Sequence, residues 1–150
     1  MKSILSALLV MCCMSMVSSA QAQATQRHKL FDQQPDQISM NIQTLEQVMN
    51  AREGQQTTVQ FSPAFAFTGT VISNEQKYHN LQTVLIKSPM FDQALFSLSR
   101  INTEDGLVQY SGRILHAQAE DGYMLKKTNQ QDYRLTKINT VSVLEECSFQ

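Results

Sequence analysis

From Thr57 to the C-terminus the apolar residues recur at every second position, in short runs separated by Pro, Gly, Asn and Asp. Such a pattern lets a strand bury one face and wet the other, and it does not suit a helix. Phe65-Ala66-Phe67 leads on to Val71-Ile72, Ala94, Phe96 and Leu98 share one parity, and Val108, Tyr110, Gly112 and Ile114 share another. Tyr123 and Leu125, then Tyr133, Leu135 and Lys137, continue the alternation toward Val141, Val143 and Cys147.

The punctuation between these runs is that of short turns. Pro63 interrupts the first pair, Ser73-Asn74-Glu75 reads as a turn, and Ser88-Pro89 closes the run that starts at Leu81. Glu104-Asp105-Gly106 and Glu120-Asp121-Gly122 both carry Asp-Gly, which tolerates the positive φ of a tight β-turn, and 129–132 turns the chain again. About seven or eight strands joined in this way make an antiparallel meander, closing toward a barrel or folding as a two-layer sandwich. Gly69 and Gly112 fall inside strands. A strand glycine marks a bulge or sharp bend, which favours the barrel.

Ahead of the meander the period is mixed. Ile38, Met40 and Ile42 alternate, whereas Ile38, Ile42, Leu45 and Met49 follow helical spacing. A short strand at 37–42 and one short N-terminal helix at 45–52 accommodate both, with a single longer helix as the rival. Thr44 and Gln47 form a capping-box pair, and Gly54 supplies a stop. Residues 37–150 are thus expected to form one β-rich domain. Residues 23–36, polar apart from Leu30 and Phe31, are expected to be a flexible leader.

The first residues read as a secretory signal over 1–22. Lys2 precedes an apolar run from Ile4 to Val17, and Ala20, Ala22 and Ala24 supply small residues for cleavage after Ala22 or Ala24. A run of about 14 residues is too short to cross a bilayer, so after its removal no integral membrane protein is expected. The compartment implied is the periplasm or the outside of the cell. Cys12 and Cys13 would leave with the signal, and Cys147 alone cannot form an internal disulfide. It is either packed, free, or engaged between molecules.

Charge and chemistry exclude more than they select. With 12 Lys and Arg against 13 Asp and Glu in the full chain, and no basic cluster beyond Lys126-Lys127, a nucleic-acid partner is not expected. His28, His79 and His116 show no helical metal-ligand spacing, and no Gly-x-Ser-x-Gly elbow or phosphate-binding glycine loop occurs. The paired acids at 104–105, 120–121 and 145–146 are adjacent, whereas a glycosidase pair faces itself across a cleft. No cofactor and no metal is therefore expected. His116 with Glu120 or Asp121 is the nearest approach to a metal or hydrolase site.

The reading that remains is an exported, non-catalytic β domain that binds a protein or peptide partner, as an inhibitor, a prodomain-like module or an envelope accessory. A small-molecule or lipid-binding β-barrel, and a small hydrolase using His116, are the alternatives. The binding residues expected are Phe65 and Phe67, aromatic and beside the break at Pro63, next to a candidate edge strand over 57–61. N-terminal sequencing of exported material should find a mature chain starting at Gln23 or Thr25. An intact Met1-Lys2-Ser3 on soluble cytoplasmic protein would contradict export.

Overall fold

The computed structural model describes residues 27–129 and 132–141, so the signal segment, Val143 and Cys147 lie outside the described residues. Its elements are β1 (Gln37–Asn41), α1 (Ile42–Met49), β2 (Gln56–Ser62), β3 (Phe65–Tyr78), β4 (Leu81–Ser88), β5 (Ala94–Asn102), β6 (Val108–Leu115), β7 (Asp121–Lys127) and β8 (Asp132–Asn139). All eight strands form one antiparallel sheet in the order β1-β8-β7-β6-β5-β4-β3-β2. The sheet curls into a nearly closed barrel, as the meander and its strand glycines predict.

Curling brings every inward row onto one core. Phe61, Phe65, Phe67, Val84, Ile86, Phe96, Leu98, Ile114, Tyr123 and Leu135 are all buried there. Gly69 shows why the bend needs a residue without a side chain. A Cβ at that position would lie 2.4 Å from the Lys87 carbonyl oxygen on the neighbouring strand, inside any van der Waals limit. At Gly112 a Cβ would meet the Ser97 carbonyl at 2.8 Å.

The meander topology gives the barrel two different ends. The hairpins β3–β4, β5–β6 and β7–β8 turn at one end, where α1 also lies. The turns β2–β3, β4–β5 and β6–β7 sit at the other. Helix α1 begins at Asn41, whose carboxamide oxygen accepts from the Thr44 amide at 2.8 Å, so the cap is Asn41 and not the Thr44–Gln47 box. Leu45, Val48 and Met49 face the core. Its C-terminal carbonyls are taken up by side-chain amides: Asn74 Nδ2 donates to Met49 O (3.0 Å) and Ala51 O (2.7 Å), and Gln82 Nε2 to Met49 O (3.1 Å).

Asn74 is available for this because β3 contains no turn at 73–75. The strand runs on with a register shift between Val71 and Ser73 that leaves Ile72 extra and exposed. One extra residue inverts the side-chain parity, which brings Asn74 to the inner face. The chain reverses instead at 79–80. At 104–106 the expected hairpin forms, with Gly106 at φ +75° and its amide donating to Thr103 O at 2.9 Å.

The other Asp-Gly pair behaves differently. Asp121 and Gly122 start β7, Gly122 has no positive φ, and the β6–β7 connection occupies 116–120. Asp121 is buried, and its two carboxylate oxygens accept from the Leu30 and Phe31 amides at 2.7 and 2.9 Å. Over its described part, 27–36, the expected flexible leader is instead a strap across the barrel's second end. Phe31, 0% exposed, packs its ring 5.3 Å from Phe91, 5.5 Å from Tyr123 and 6.1 Å from Phe65. Burial of that ring, together with two bonds to a carboxylate, outweighs the low apolar content of the segment.

The close approach at Gly69 sets a direct expectation. Gly69→Ala should lower unfolding stability in urea by about 1–3 kcal/mol, the usual range for overpacking. An unchanged midpoint would mean that the β3–β4 bend is not as tight as described.

Candidate functional site

Phe65 and Phe67 do not form an exposed pocket. They are 1% and 0% exposed, because both hold the inward parity of β3, and they pack with Phe61, Phe91 and Phe96. Beside the Pro63 break it is the backbone of β2, and not these rings, that faces outward. The barrel interior on this side is occupied by those aromatic side chains.

The β2 edge follows from the hydrogen-bond pattern. Val71 N donates to Gln55 O at 2.9 Å while Gln56 stands opposite Thr70, so Gln56–Thr70 is a non-hydrogen-bonded pair. Alternation then turns the amides and carbonyls of Thr57 and Val59 toward β3, and those of Gln56, Thr58 and Gln60 away from it. At the far end of the sheet, Lys137 N donates to Asp36 O at 2.8 Å beside the Gln37–Thr136 pair, which by the same rule turns the Ser39 backbone away from β8. Strands β1 and β2 approach within 8 Å between Cα atoms without pairing in the sheet. A seam results, flanked by α1, with no hydrogen-bond ladder across it.

Along this seam α1 and β2 border a cleft of about 170 Å³, lined by Thr44, Gln47 and Val48 on the helix and by Thr57, Thr58, Val59 and Gln60 on the strand. No lining residue is charged. Thr58, Gln60 and Gln47 are exposed. The sequence pointed to this edge through the break at Pro63, but period alone could not show that the strand's second neighbour is absent.

Two polar clusters flank the barrel ends. Under α1 the Tyr110 hydroxyl donates to Glu46, Arg100 stands 3.6 Å from the other Glu46 oxygen, and Arg100 donates to Gln82 Oε1 at 2.8 Å. Tyr133 Oη accepts from the Tyr110 amide at 3.1 Å. Burial, and after it the hydrogen bond and charge of Glu46, push the Tyr110 phenol above its ordinary range, and the Arg100 cation offsets part of this. These bonds dock the helix on the barrel.

At the strap end a surface cavity of about 510 Å³ is lined by Lys29, Asp32, Asp36, Glu120, Asp121 and Lys137 among others. Its charges are partly paired internally, Lys137 with Asp36 at 3.0 Å and Lys29 with Asp32 at 3.7 Å. Tyr123 donates to Pro35 O at 2.7 Å. Burial raises its pKa, and the Asp121 and Asp36 carboxylates add to the rise.

His116 follows β6, and the acid that faces it is Asp92, with Nε2 to Oδ2 at 3.6 Å. Asp121 is committed to the strap amides, and Glu120 gives its backbone amide to His28 O at 2.9 Å. Asp92 was not legible as a partner, since it lies 24 positions before His116 in the chain. His79 sits in the exposed turn at the opposite end. Among the described residues no histidine side chain is hydrogen-bonded to a Ser, Thr or Cys, so His116 has no activated nucleophile beside it. Among the described residues no group of three or more His, Cys, Asp or Glu side chains could hold a metal ion. No described helix is long and apolar enough to cross a membrane.

Comparison with known proteins adds nothing to this geometry: no family model matches the chain, and neither does a curated protein or a solved structure.

The two perturbed phenols give a pH expectation. Both folded-state pKa values lie above the unfolded value of 10.0, so their contribution is complete below pH 10 and is lost as the pH rises beyond it. Stability should therefore fall steeply above pH 10, and Tyr123→Phe should flatten that slope. A slope unchanged by the substitution would show that Tyr123 ionises normally.

Proposed function

We propose that this protein is an exported, non-catalytic binding module that takes up an extended segment of a protein partner along the free edge of β2. The observation that carries the reading is the row of outward backbone groups at Gln56, Thr58 and Gln60 beside the cleft under α1. An unpaired strand edge offers donors and acceptors at the spacing of another strand, so an extended chain can add to it once the seam with β1 opens to the roughly 9.6 Å that two inter-strand spacings require. Exposed edges usually carry Lys, Pro or an inward charge that discourages such pairing. None of these occurs over 56–60, where the side chains are Gln, Thr, Thr, Val and Gln.

The chemistry of the cleft narrows the partner. With uncharged Thr and Gln side chains on both walls, affinity comes from main-chain hydrogen bonds, and specificity from the small volume between Val48 and Val59. An extended stretch with small or β-branched residues at alternate positions fits, and a strongly charged one finds no counter-charge. Met1-Lys2-Ser3 and the apolar run behind them support an exported chain, for which the partner would be met in the periplasm or outside the cell. An inhibitor or an envelope accessory protein works in this way, by occupancy without turnover.

Proline placed at two neighbouring positions tests the proposal. Thr58→Pro removes an amide that points away from β3, so it should leave the fold intact, as edge prolines do. Thr57→Pro removes an amide bonded to β3 and should cost at least the roughly 1 kcal/mol of a lost hydrogen bond, as the internal control. A photo-crosslinker at Gln60 in intact cells should trap one discrete partner in the parent protein and lose it in folded Thr58→Pro. A crosslink that persists in Thr58→Pro would overturn edge pairing.

A further inference from the structure

We propose that the outer face of β5–β8 holds a binding site for a phosphate monoester, seated on Arg113 and the hydroxyls of Ser97, Ser99 and Ser111. Strands β3, β4 and β5 separate β6 from the β2 edge, so the site is independent of partner binding there. The starting point is a gap in the ladder. Strand β6 pairs with β5 from Val108 to Leu115 but with β7 only from Gly112 to Ile114. Before Gly112 the Tyr110 amide donates to the Tyr133 hydroxyl at 3.1 Å. Where β6 and β7 part, a surface depression of about 280 Å³ opens, lined by Ser97, Ser99, Ser111, Arg113 and Met124 among others.

The register puts polar groups around this depression. Ser97 stands directly opposite Arg113, and Ser99 opposite Ser111, all four at outward positions of their strands. Side chains paired in this way have Cβ atoms about 4.5–5.5 Å apart. Three hydroxyls and a guanidinium thus frame a space that suits one tetrahedral oxyanion. Ser99 shares a hydrogen bond with Thr83 at 3.0 Å. The side chains of Ser97, Ser111 and Arg113 have no hydrogen-bond or ion-pair partner among the described residues.

Charge on this face is one-sided. Lys126 follows Met124 by two residues on the same face, and Arg134 stands directly opposite Lys126 across β7–β8. Like charges placed opposite each other are unfavourable. Among the described residues the one carboxylate at an outward position of β5–β8 is Asp132, at the hairpin end, where it accepts from Asn129 Nδ2 at 3.0 Å. An anion is therefore what the face lacks. The Arg113 fork can donate to two phosphate oxygens at once, while Lys126 and Arg134 add attraction. On the other side of Ser97 and Arg113 the next outward pair is Leu95, 39% exposed, and Leu115. That apolar pair gives the organic part of an ester a surface to lie on, which a free phosphate would not use.

The test titrates isotope-labelled protein with butyl phosphate and, separately, with inorganic phosphate at low ionic strength, following backbone amide shifts by NMR. Saturable shifts should appear at Ser97, Ser99, Ser111 and Arg113, with butyl phosphate the tighter ligand. Arg113→Gln should weaken both ligands by roughly tenfold or more, the usual worth of a hydrogen bond to a charged group. Leu95→Ser should abolish the preference for the ester, and Arg52→Gln, in the loop after α1, should change nothing. Arg113 and Ser111 are both exposed, so Ser111→Asp, which sets a negative charge in the depression, tests the site even if Arg113→Gln fails to fold. Absence of saturable shifts at these residues overturns the site, as does affinity that Arg113→Gln or Ser111→Asp leaves unchanged. Equal affinity for the two ligands overturns the ester.

Discussion

The structure depends on one constraint: an eight-stranded sheet with a single apolar face must curl until that face has nothing left to show to water. Tight curvature needs positions without a side chain, and Gly69 and Gly112 provide them where neighbouring carbonyls come within 3 Å of a would-be Cβ. Curling alone leaves two open ends. Helix α1 covers one with Leu45, Val48 and Met49, and the strap covers the other with Phe31. The polar devices then follow from these plugs: Asn74 and Gln82 receive the helix C-terminus, and Asp121 receives the strap amides.

Much of this architecture is legible in the sequence because it rests on period and local turn chemistry. Alternation identified the inward residues of β5, β6 and β8, and Asp105-Gly106 marked a real hairpin. What escaped is what depends on distant contacts. Asp121-Gly122 has the same two letters as the true turn, yet Asp121 is bound 91 residues away to Leu30. The bulge at Ile72 is a register event against β4, which no single-strand pattern records. Phe31, beside Leu30 in an otherwise polar stretch, became core because aromatic rings from three other segments surround it.

The same distinction separates the two ways of reading the binding region. The sequence drew attention to Phe65 and Phe67 for their chemistry, and their parity sends both inward. The neighbouring strand, plain in composition, is one whose alternate backbone groups turn away from its only paired neighbour, β3. An edge is a property of topology: β2 is exposed because the chain enters it from α1 and not from a hairpin partner. Because β1 and β2 do not pair, the backbone groups of Gln56, Thr58 and Gln60 that turn away from β3 meet no strand ladder among the described residues.

Amide hydrogen exchange along β2 tests the open seam most directly. The Thr58 and Gln60 amides, aimed away from β3, should exchange rapidly in the free protein, whereas those of Thr57 and Val59 should be protected nearly to the level of global unfolding. Protection of Thr58 and Gln60 equal to that of Val59 would mean that β1 and β2 pair into a closed barrel, and the edge on which partner binding is argued would not exist.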